Sequence, residues 1–117
     1  MYISPEELQT HLYERNIKLI TEQNEYITQA SIDTAVFMVK SYLTNRYDTK
    51  KIFSAEGEDR HPLILDLVKT IAAYKLVSLA NPQILGEKYY TAYQEAKEYL
   101  TQIEQGILSP DLPTREL

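Results

Sequence analysis

Residues 62–80 read PLILDLVKTIAAYKLVSLA and form the most apolar stretch of the chain. Apolar side chains recur at helical spacing on one stripe and extend around much of the remaining circumference. The stripe consists of Ile64, Val68, Ile71, Ala72 and Leu79. A helix that is apolar on most sides is buried, so other parts of the chain have to cover it. The sequence therefore predicts a central helix over this stretch.

The same stretch is a poor membrane span. Asp66, Lys69 and Lys75 lie within it, and charged side chains are costly at bilayer depth. The N-terminal residues include Glu6 and Glu7 and contain no apolar run, so they do not resemble a signal peptide. We therefore expect no membrane partner.

The composition predicts one small domain with a real core. The chain has 117 residues, of which 44% are hydrophobic, so residues 1–117 are interpreted as a single helical domain. There is no cysteine, which rules out disulfides and thiolate metal sites. The net charge of −5 disfavours nucleic-acid binding, which usually needs a basic face, so we expect no sequence-specific nucleic-acid partner.

Two further helices are predicted before the central one. Ser4 can cap a helix at the N-terminus, and Glu7 three residues later completes a capping box. Apolar residues then recur at spacings of three and four over residues 28–46 and predict a second helix, whose apolar stripe is widened by Phe37.

A last helix is predicted after a break at Asn81-Pro82. It runs over about residues 83–105 with an apolar stripe from Leu85 to Ile103, and Gly106 follows as a C-terminal cap. The segment before the central helix and the segment after the last helix show little hydrophobic periodicity. The predicted fold class is therefore all-α, a small bundle of about four helices with an irregular loop at 48–61 and an extended C-terminal tail at 107–117.

Groups that could carry chemistry are few. The chain has no phosphate-binding glycine motif, nucleophile elbow or zinc motif. Glu7, His11 and nearby Glu14 would share a helix face and could hold a metal, although metal sites usually recruit more ligands. We therefore expect no catalytic residue, no metal, no cofactor and no enzymatic activity. A metal-dependent helical enzyme built on these three residues stays as an alternative.

Tyrosine is unusually frequent, with ten in the chain and no tryptophan. Tyr89 and Tyr93 belong to the core stripe of the last helix, whereas Tyr90 and Tyr99 flank it. Tyrosine is enriched in protein interfaces because it combines apolar area with a polar end. The two flanking tyrosines are therefore candidate interface residues. The alternative is that they lie at the rim of a single core.

Four motifs follow one another in an order that is itself informative. The second helix ends in SYLTNRY at residues 41–47, and the central helix carries IAAYKL at 71–76. The last helix contains YTAY at 90–93 and ends in IEQGIL at 103–108. In this order of features the chain resembles a phage structural family, the Mu-like small head–tail connector proteins, which look related in architecture to other phage head-completion adaptors.

The resemblance implies a phage or prophage virion structural protein and not an enzyme. Such a protein would be a head–tail connector, joining portal to tail as part of a ring through whose lumen DNA would pass. Its partners would be the portal and tail proteins and neighbouring copies of itself. It would be found in the virion and, during assembly, in the host cytoplasm.

Candidate contact segments follow from the same resemblance. The loop at 48–60 and the tail at 107–117 would reach neighbouring subunits, and deletion of 109–117 is expected to leave folding intact while weakening assembly. The same composition also permits an alternative, a small bacterial helical module for protein–protein interaction or regulation. The candidate interface residues are Tyr90, Tyr99, Arg46, Tyr47, Leu108 and Leu112.

Overall fold

The computed structural model describes residues 2–12, 24–80 and 87–116 of the chain. The α-helices in these ranges are α1 (Glu25–Leu43), α2 (Thr49–Ser54), α3 (Pro62–Ala80) and α4 (Glu87–Glu104). Two shorter 3₁₀ helices in the same ranges cover Glu6–His11 and Gly57–Asp59. The described part of the chain is thus a small all-α bundle, which confirms the predicted fold class. None of the helices in it is both long and apolar enough to cross a membrane.

Helix α3 lies at the centre and has the bounds that the sequence predicts. It packs against α1, α4 and the N-terminal 3₁₀ helix. The predicted stripe is buried from Ile64 to Ala72, but Leu79 is 65% exposed. The prediction for Leu79 is wrong because none of the described elements covers the last turn of that face.

Helix α1 begins earlier than predicted because Asn24 caps it. The side-chain oxygen of Asn24 accepts a hydrogen bond from Ile27 N at 3.3 Å. Ala35 and Val39 lie on the buried face, whereas Phe37 is 76% exposed. The prediction that Phe37 widens the buried stripe is wrong. Phe37 is two positions from both Ala35 and Val39, and residues two positions apart point about 200° apart around a helix, so Phe37 points away from the buried face.

Residues 48–61 are more regular than predicted. Asp48 Oδ1 accepts a hydrogen bond from Lys51 N at 3.1 Å and so caps helix α2. Ile52 is 4% exposed, and tertiary burial of this kind stabilises a helix that would be too short to persist alone. The prediction of an irregular loop is wrong for residues 49–54, because so short a helix leaves no period in the sequence.

The N-terminal capping box is confirmed. Ser4 N donates to Glu7 Oε1 at 3.1 Å, and Glu7 N donates to Ser4 Oγ at 3.3 Å. The helix that follows is of the 3₁₀ type. Its apolar residues Leu8 and Leu12 are buried, so this segment covers one side of α3.

Helices α3 and α4 run in opposite directions. Tyr74, late in α3, stacks on Tyr93 with 4.0 Å between the ring centroids. Leu63, at the start of α3, lines the same groove as Tyr99, near the end of α4. The first residues of α3 therefore lie beside the last residues of α4.

The C-terminal ends of α1 and α4 lie together. Helix α4 ends at Glu104, whose carbonyl accepts a hydrogen bond from Arg46 Nε at 3.0 Å. Gly106 has a φ of 80°, the left-handed conformation of the predicted C-terminal cap. The C-terminal tail therefore starts beside the end of α1. The predicted break at Asn81-Pro82 and the start of the last helix lie outside the described residues.

Replacement of Ile71 by alanine is expected to lower the free energy of unfolding by about 3 kcal/mol, because this side chain is fully buried. Leu79→Ala is the matched control on the same helix, and its exposed side chain should contribute less than about 0.5 kcal/mol. Urea denaturation followed by circular dichroism measures both values. Equal losses for the two variants would contradict the placement of α3.

Candidate protein-interaction site

The C-terminal tail, residues 107–116, is non-helical, as predicted, but it returns to the body of the chain. It meets the segment that follows α1, where an isolated antiparallel β-bridge joins Tyr47 to Thr114. We refer to residues 44–48 together with residues 113–115 as the tail junction.

Two backbone hydrogen bonds flank the bridge. Asp48 N donates to the carbonyl of Pro113 at 2.8 Å, and Arg115 N donates to the carbonyl of Arg46 at 3.0 Å. Because the bonds lie on either side of the bridged residues, those residues form a non-hydrogen-bonded antiparallel pair. Pro113 has no N–H to donate, but the junction uses only its carbonyl.

Two guanidinium groups bind carbonyls at the helix ends. Arg46 Nε binds the carbonyl of Glu104 at the end of α4, and Arg115 Nη1 donates to the carbonyl of Thr44 beyond α1 at 3.2 Å. These carbonyls have no partner within their helices and carry the negative end of the helix dipole, so cations there are favourable. Gly106 leaves room for this arrangement, because a Cβ there would lie 2.9 Å from the Arg46 guanidinium.

Leu112 anchors the tail and is 7% exposed. It lines a groove of about 340 Å³ between the tail and residues 51–62, with Ile52 and Arg60 in the wall. We call this space the Leu112 groove. The backbone turns sharply just before it, since Leu112 N donates to the carbonyl of Pro110 at 2.9 Å. Deletion of 109–117 would therefore also remove a buried side chain, and its effect on assembly stays a prediction.

The tail junction and the Leu112 groove bring together several predicted interface residues. Arg46 is exposed, whereas Tyr47 and Leu112 are each 7% exposed. In the single chain these two side chains are part of the core, because the tail folds back onto the segment after α1. Their part in an interface stays a prediction. Leu108 is partly buried against the core.

Tyr90 and Tyr99 lie elsewhere on α4 and are 46% and 37% exposed. The ring of Tyr90 lies 6.4 Å from that of Tyr74, measured between centroids. Tyr99 lines a separate groove that also contains His11 and Asp66. The structure does not bring these two tyrosines to the tail junction, and their part in an interface stays a prediction.

Sequence reasoning missed Asp48, Thr114 and Arg115 as residues of the tail junction. Their contacts are mainly hydrogen bonds between backbone groups, which side chains of many kinds permit. The paired segments are also far apart in the chain. No periodicity or motif in the sequence could have joined them.

The candidate metal ligands near the N-terminus bind other side chains. Glu7 Oε2 lies 2.6 Å from Arg60 Nη2, and His11 Nε2 lies 2.7 Å from Asp66 Oδ1. Glu14 lies outside the described residues. Within the described part of the chain, no three histidine, aspartate or glutamate side chains are placed to hold a metal ion.

Arg60 connects the N-terminal segment to the turn before α3. Its Nη1 donates to the carbonyl of Tyr2 at 2.9 Å, and its Nε donates to the carbonyl of Gly57 at 2.8 Å. The hydrogen bond from Arg60 also lowers the pKa of Glu7 below its ordinary value of 4.5. Burial raises the pKa of the neighbouring Tyr2 to about 12.

Comparison with known proteins assigns the chain to a family. The family model described as Bacteriophage Mu, Gp36 matches residues 2–117. The chain belongs to the bacteriophage Mu Gp36 family. It is therefore a Mu-like phage protein, as the order of its motifs predicts. Searches of curated proteins and of solved structures give no match for this Gp36-family chain.

Replacement of Gly106 in this Gp36-family chain by alanine is expected to lower the free energy of unfolding by about 2 kcal/mol. The new Cβ would sit on left-handed backbone, and the flexible end of Arg46 would have to move away and give up its hydrogen bond to the Glu104 carbonyl. Gly57→Ala is the matched control, because Gly57 has a φ of 57° but no atom within 4 Å of its Cβ position. It should cost only about 1 kcal/mol. Thermal denaturation gives both values. Equal losses of unfolding free energy for the two variants would show that the contact between position 106 and Arg46 does not contribute to stability.

Replacement of Glu7 by glutamine is expected to lower the free energy of unfolding at pH 7 by about 1 kcal/mol, because a partly exposed ion pair is lost. The pKa of Glu7 is lowered in the folded chain, so its contribution is fully present above the ordinary value of 4.5. The contribution is lost as the pH falls below that value through the folded pKa. The difference between wild type and variant should therefore shrink in acid.

Urea denaturation across a pH series measures this difference. Glu6→Gln is the control, since Glu6 is an exposed neighbour outside the ion pair. A difference between wild type and Glu7→Gln that stays constant down to acidic pH would contradict the assignment of the effect to the Glu7 carboxylate.

Proposed function

We propose that this phage protein is a structural component of the virion, a head–tail connector that joins the portal to the tail. It acts as one of several copies in a ring and has no enzymatic activity. The observation that carries the proposal is the family match over residues 2–117, taken with the motifs that resemble connector proteins. Its partners are the portal and tail proteins and neighbouring copies of itself.

Exposed apolar side chains support an assembly role. Tyr26 is 85% exposed and Phe37 is 76% exposed, and both lie on one face of α1, about three turns apart. Ile107, at the start of the tail, is 67% exposed. A ring subunit needs two different contact surfaces, because each copy binds the next head to tail. The outer face of α1 and the start of the tail are positions where such surfaces can form.

The net charge fits a passage for DNA better than a surface that holds DNA. At −5 the chain as a whole repels phosphates, whereas proteins that grip DNA neutralise phosphates with lysine and arginine. A ring of such subunits would let DNA move through its lumen without binding it tightly.

Replacement of Phe37 by aspartate is expected to reduce incorporation of the protein into phage particles by about tenfold or more, as for a central interface residue. Because Phe37 is mostly exposed, the free energy of unfolding should change by less than about 0.5 kcal/mol. Gln94→Asp, which adds the same charge at an exposed position on α4 and away from this face, is the control and should assemble normally. Quantitative mass spectrometry of purified particles measures incorporation, and normal incorporation of Phe37→Asp would exclude this face from the interface.

The function itself is tested by inactivating the gene in a phage that carries it. The proposal predicts DNA-filled heads without tails, free tails in the same lysate, and rescue by the protein supplied from a plasmid. Purified wild-type particles should contain the protein. Normal tailed particles from the mutant, together with absence of the protein from wild-type virions, would overturn the proposal and favour a helical interaction or regulatory module.

A further inference from the structure

We propose that the tail junction holds an anion site that binds a phosphate group, with the guanidinium groups of Arg46 and Arg115 as its main donors. The site is a groove of about 410 Å³ between the segment that follows α1 and the C-terminal tail. We call this space the basic groove. The inference goes beyond the proposed function and does not depend on it, because the whole site lies within one chain.

The lining of the basic groove differs in charge from the chain as a whole. Exposed side chains with hydrogen-bond donors line it, and they belong to Asn45, Arg46, Ser109, Thr114 and Arg115. Glu104 and Glu116 are close by in the chain, but neither they nor any other carboxylate is among the lining residues. The groove is therefore a local centre of positive charge that attracts anions, although the net charge of the chain is −5.

No carboxylate neutralises the two arginines of the groove. Arg60 differs from them, since its Nη2 lies 2.6 Å from Glu7 Oε2. Arg46 and Arg115 form no ion pair with any of the residues that the structure describes. Two positive charges that face one groove repel each other, and an anion bound between them would replace this repulsion by attraction.

Both guanidinium groups are held in place before a ligand binds. Arg46 Nε donates to the Glu104 carbonyl, and the flat face of its guanidinium lies on Gly106, where an added Cβ would be 2.9 Å from Cζ and from both terminal nitrogens. Arg115 is held by its backbone N–H, which binds the Arg46 carbonyl, and by Nη1, which binds the Thr44 carbonyl. Because these side chains are already ordered, they lose less conformational entropy when a ligand binds.

Most donors of the two arginines stay available to a ligand. A guanidinium carries five N–H donors, and Arg46 and Arg115 each use one of them for a backbone carbonyl. The hydroxyl groups of Ser109 and Thr114 add donors on the tail side of the groove. A phosphate group has several acceptor oxygens that point in different directions, whereas a carboxylate has two in one plane. Donors on both sides of the groove therefore fit a phosphate group better than a carboxylate.

Phosphate binding is tested on the full-length, ¹⁵N-labelled protein by NMR. Sodium phosphate is titrated while sodium chloride keeps the ionic strength constant, and the backbone amide and arginine Nε–H signals are followed. The proposal predicts saturable shifts that are concentrated in residues 44–48 and 109–115. Absence of saturable shifts in these residues, or the same shifts with sodium chloride alone, would overturn it.

Replacement of Arg115 by glutamine is expected to weaken phosphate binding by about tenfold or more, because charge-assisted hydrogen bonds are lost. Lys75→Gln is the matched control. It removes the same charge on α3, where Lys75 Nζ lies 5.8 Å from the ring centroid of Tyr93, and it should bind phosphate like the wild type. Equal affinities of the wild type and Arg115→Gln, or equal losses in the two variants, would show that the basic groove is not the site.

A second variant covers the case in which loss of Arg115 releases the tail. Asn45→Asp places a carboxylate in the lining of the groove while keeping the size of the side chain. It should abolish the shifts that sodium phosphate causes and leave the circular dichroism spectrum unchanged. Gln94→Asp adds the same charge at an exposed position on α4 and should bind phosphate normally. Phosphate binding by Asn45→Asp that equals binding by Gln94→Asp would contradict the proposal.

Two further titrations identify the source of the phosphate group. Shifts at the same residues with a short duplex DNA of mixed sequence, lost on addition of sodium phosphate, would assign the site to the phosphodiester backbone. A response to sodium phosphate without a response to DNA would assign it to free phosphate or a phosphomonoester. Sodium acetate should bind at least about tenfold more weakly than phosphate, because it has fewer acceptor oxygens and less charge. Equal binding of acetate would overturn the assignment to phosphate.

These measurements are separate from the test of the connector role. All of them use the purified chain, so a phosphate site can be found or excluded whether or not the protein is present in phage particles. Likewise, tailless particles from the inactivated gene would support the connector role even if the basic groove binds no phosphate.

Discussion

The burial of helix α3 is the constraint on which the rest of the structure depends. Its apolar side chains occupy most of its circumference, and each one that is removed from water contributes roughly 1.5–3 kcal/mol. Two long helices cannot enclose a third on every side, so the N-terminal segment folds back and closes the remaining face with Leu8 and Leu12. The described parts of a small chain are thereby committed to one core, and Tyr26 and Phe37 on the outer face of α1 stay exposed to solvent.

Most of this core could be predicted from the sequence, because burial in long helices leaves a period that can be read directly. The central helix is the clearest case, since its bounds follow from its apolar content and Pro62. Periodicity gives wrong predictions for helices that are too short and for apolar side chains that are not buried. Helix α2 spans less than two turns and depends on a cap and on one buried isoleucine. Phe37 and Leu79 are apolar, but they lie on faces that no described element covers.

The candidate site was predictable only in part. Arg46, Tyr47 and Leu112 were identified as interface residues through a family resemblance, but their common location follows from backbone pairing between Asp48 and Pro113. Backbone groups are the same in nearly every residue, so such pairing leaves no compositional trace. The same pairing explains why a tail that reads as extended in the sequence is closed on its own chain, with its anchor buried.

Arg60 illustrates how one side chain can couple distant parts of a small protein. It binds the carbonyls of Tyr2 and Gly57 and the carboxylate of Glu7, and its side chain is only 12% exposed. Opening any one of these segments would leave donors of a nearly buried guanidinium without partners. The N-terminal residues should therefore not fray independently, as chain ends usually do. They should form a cooperative unit with the turn before α3 and share its protection in amide hydrogen exchange.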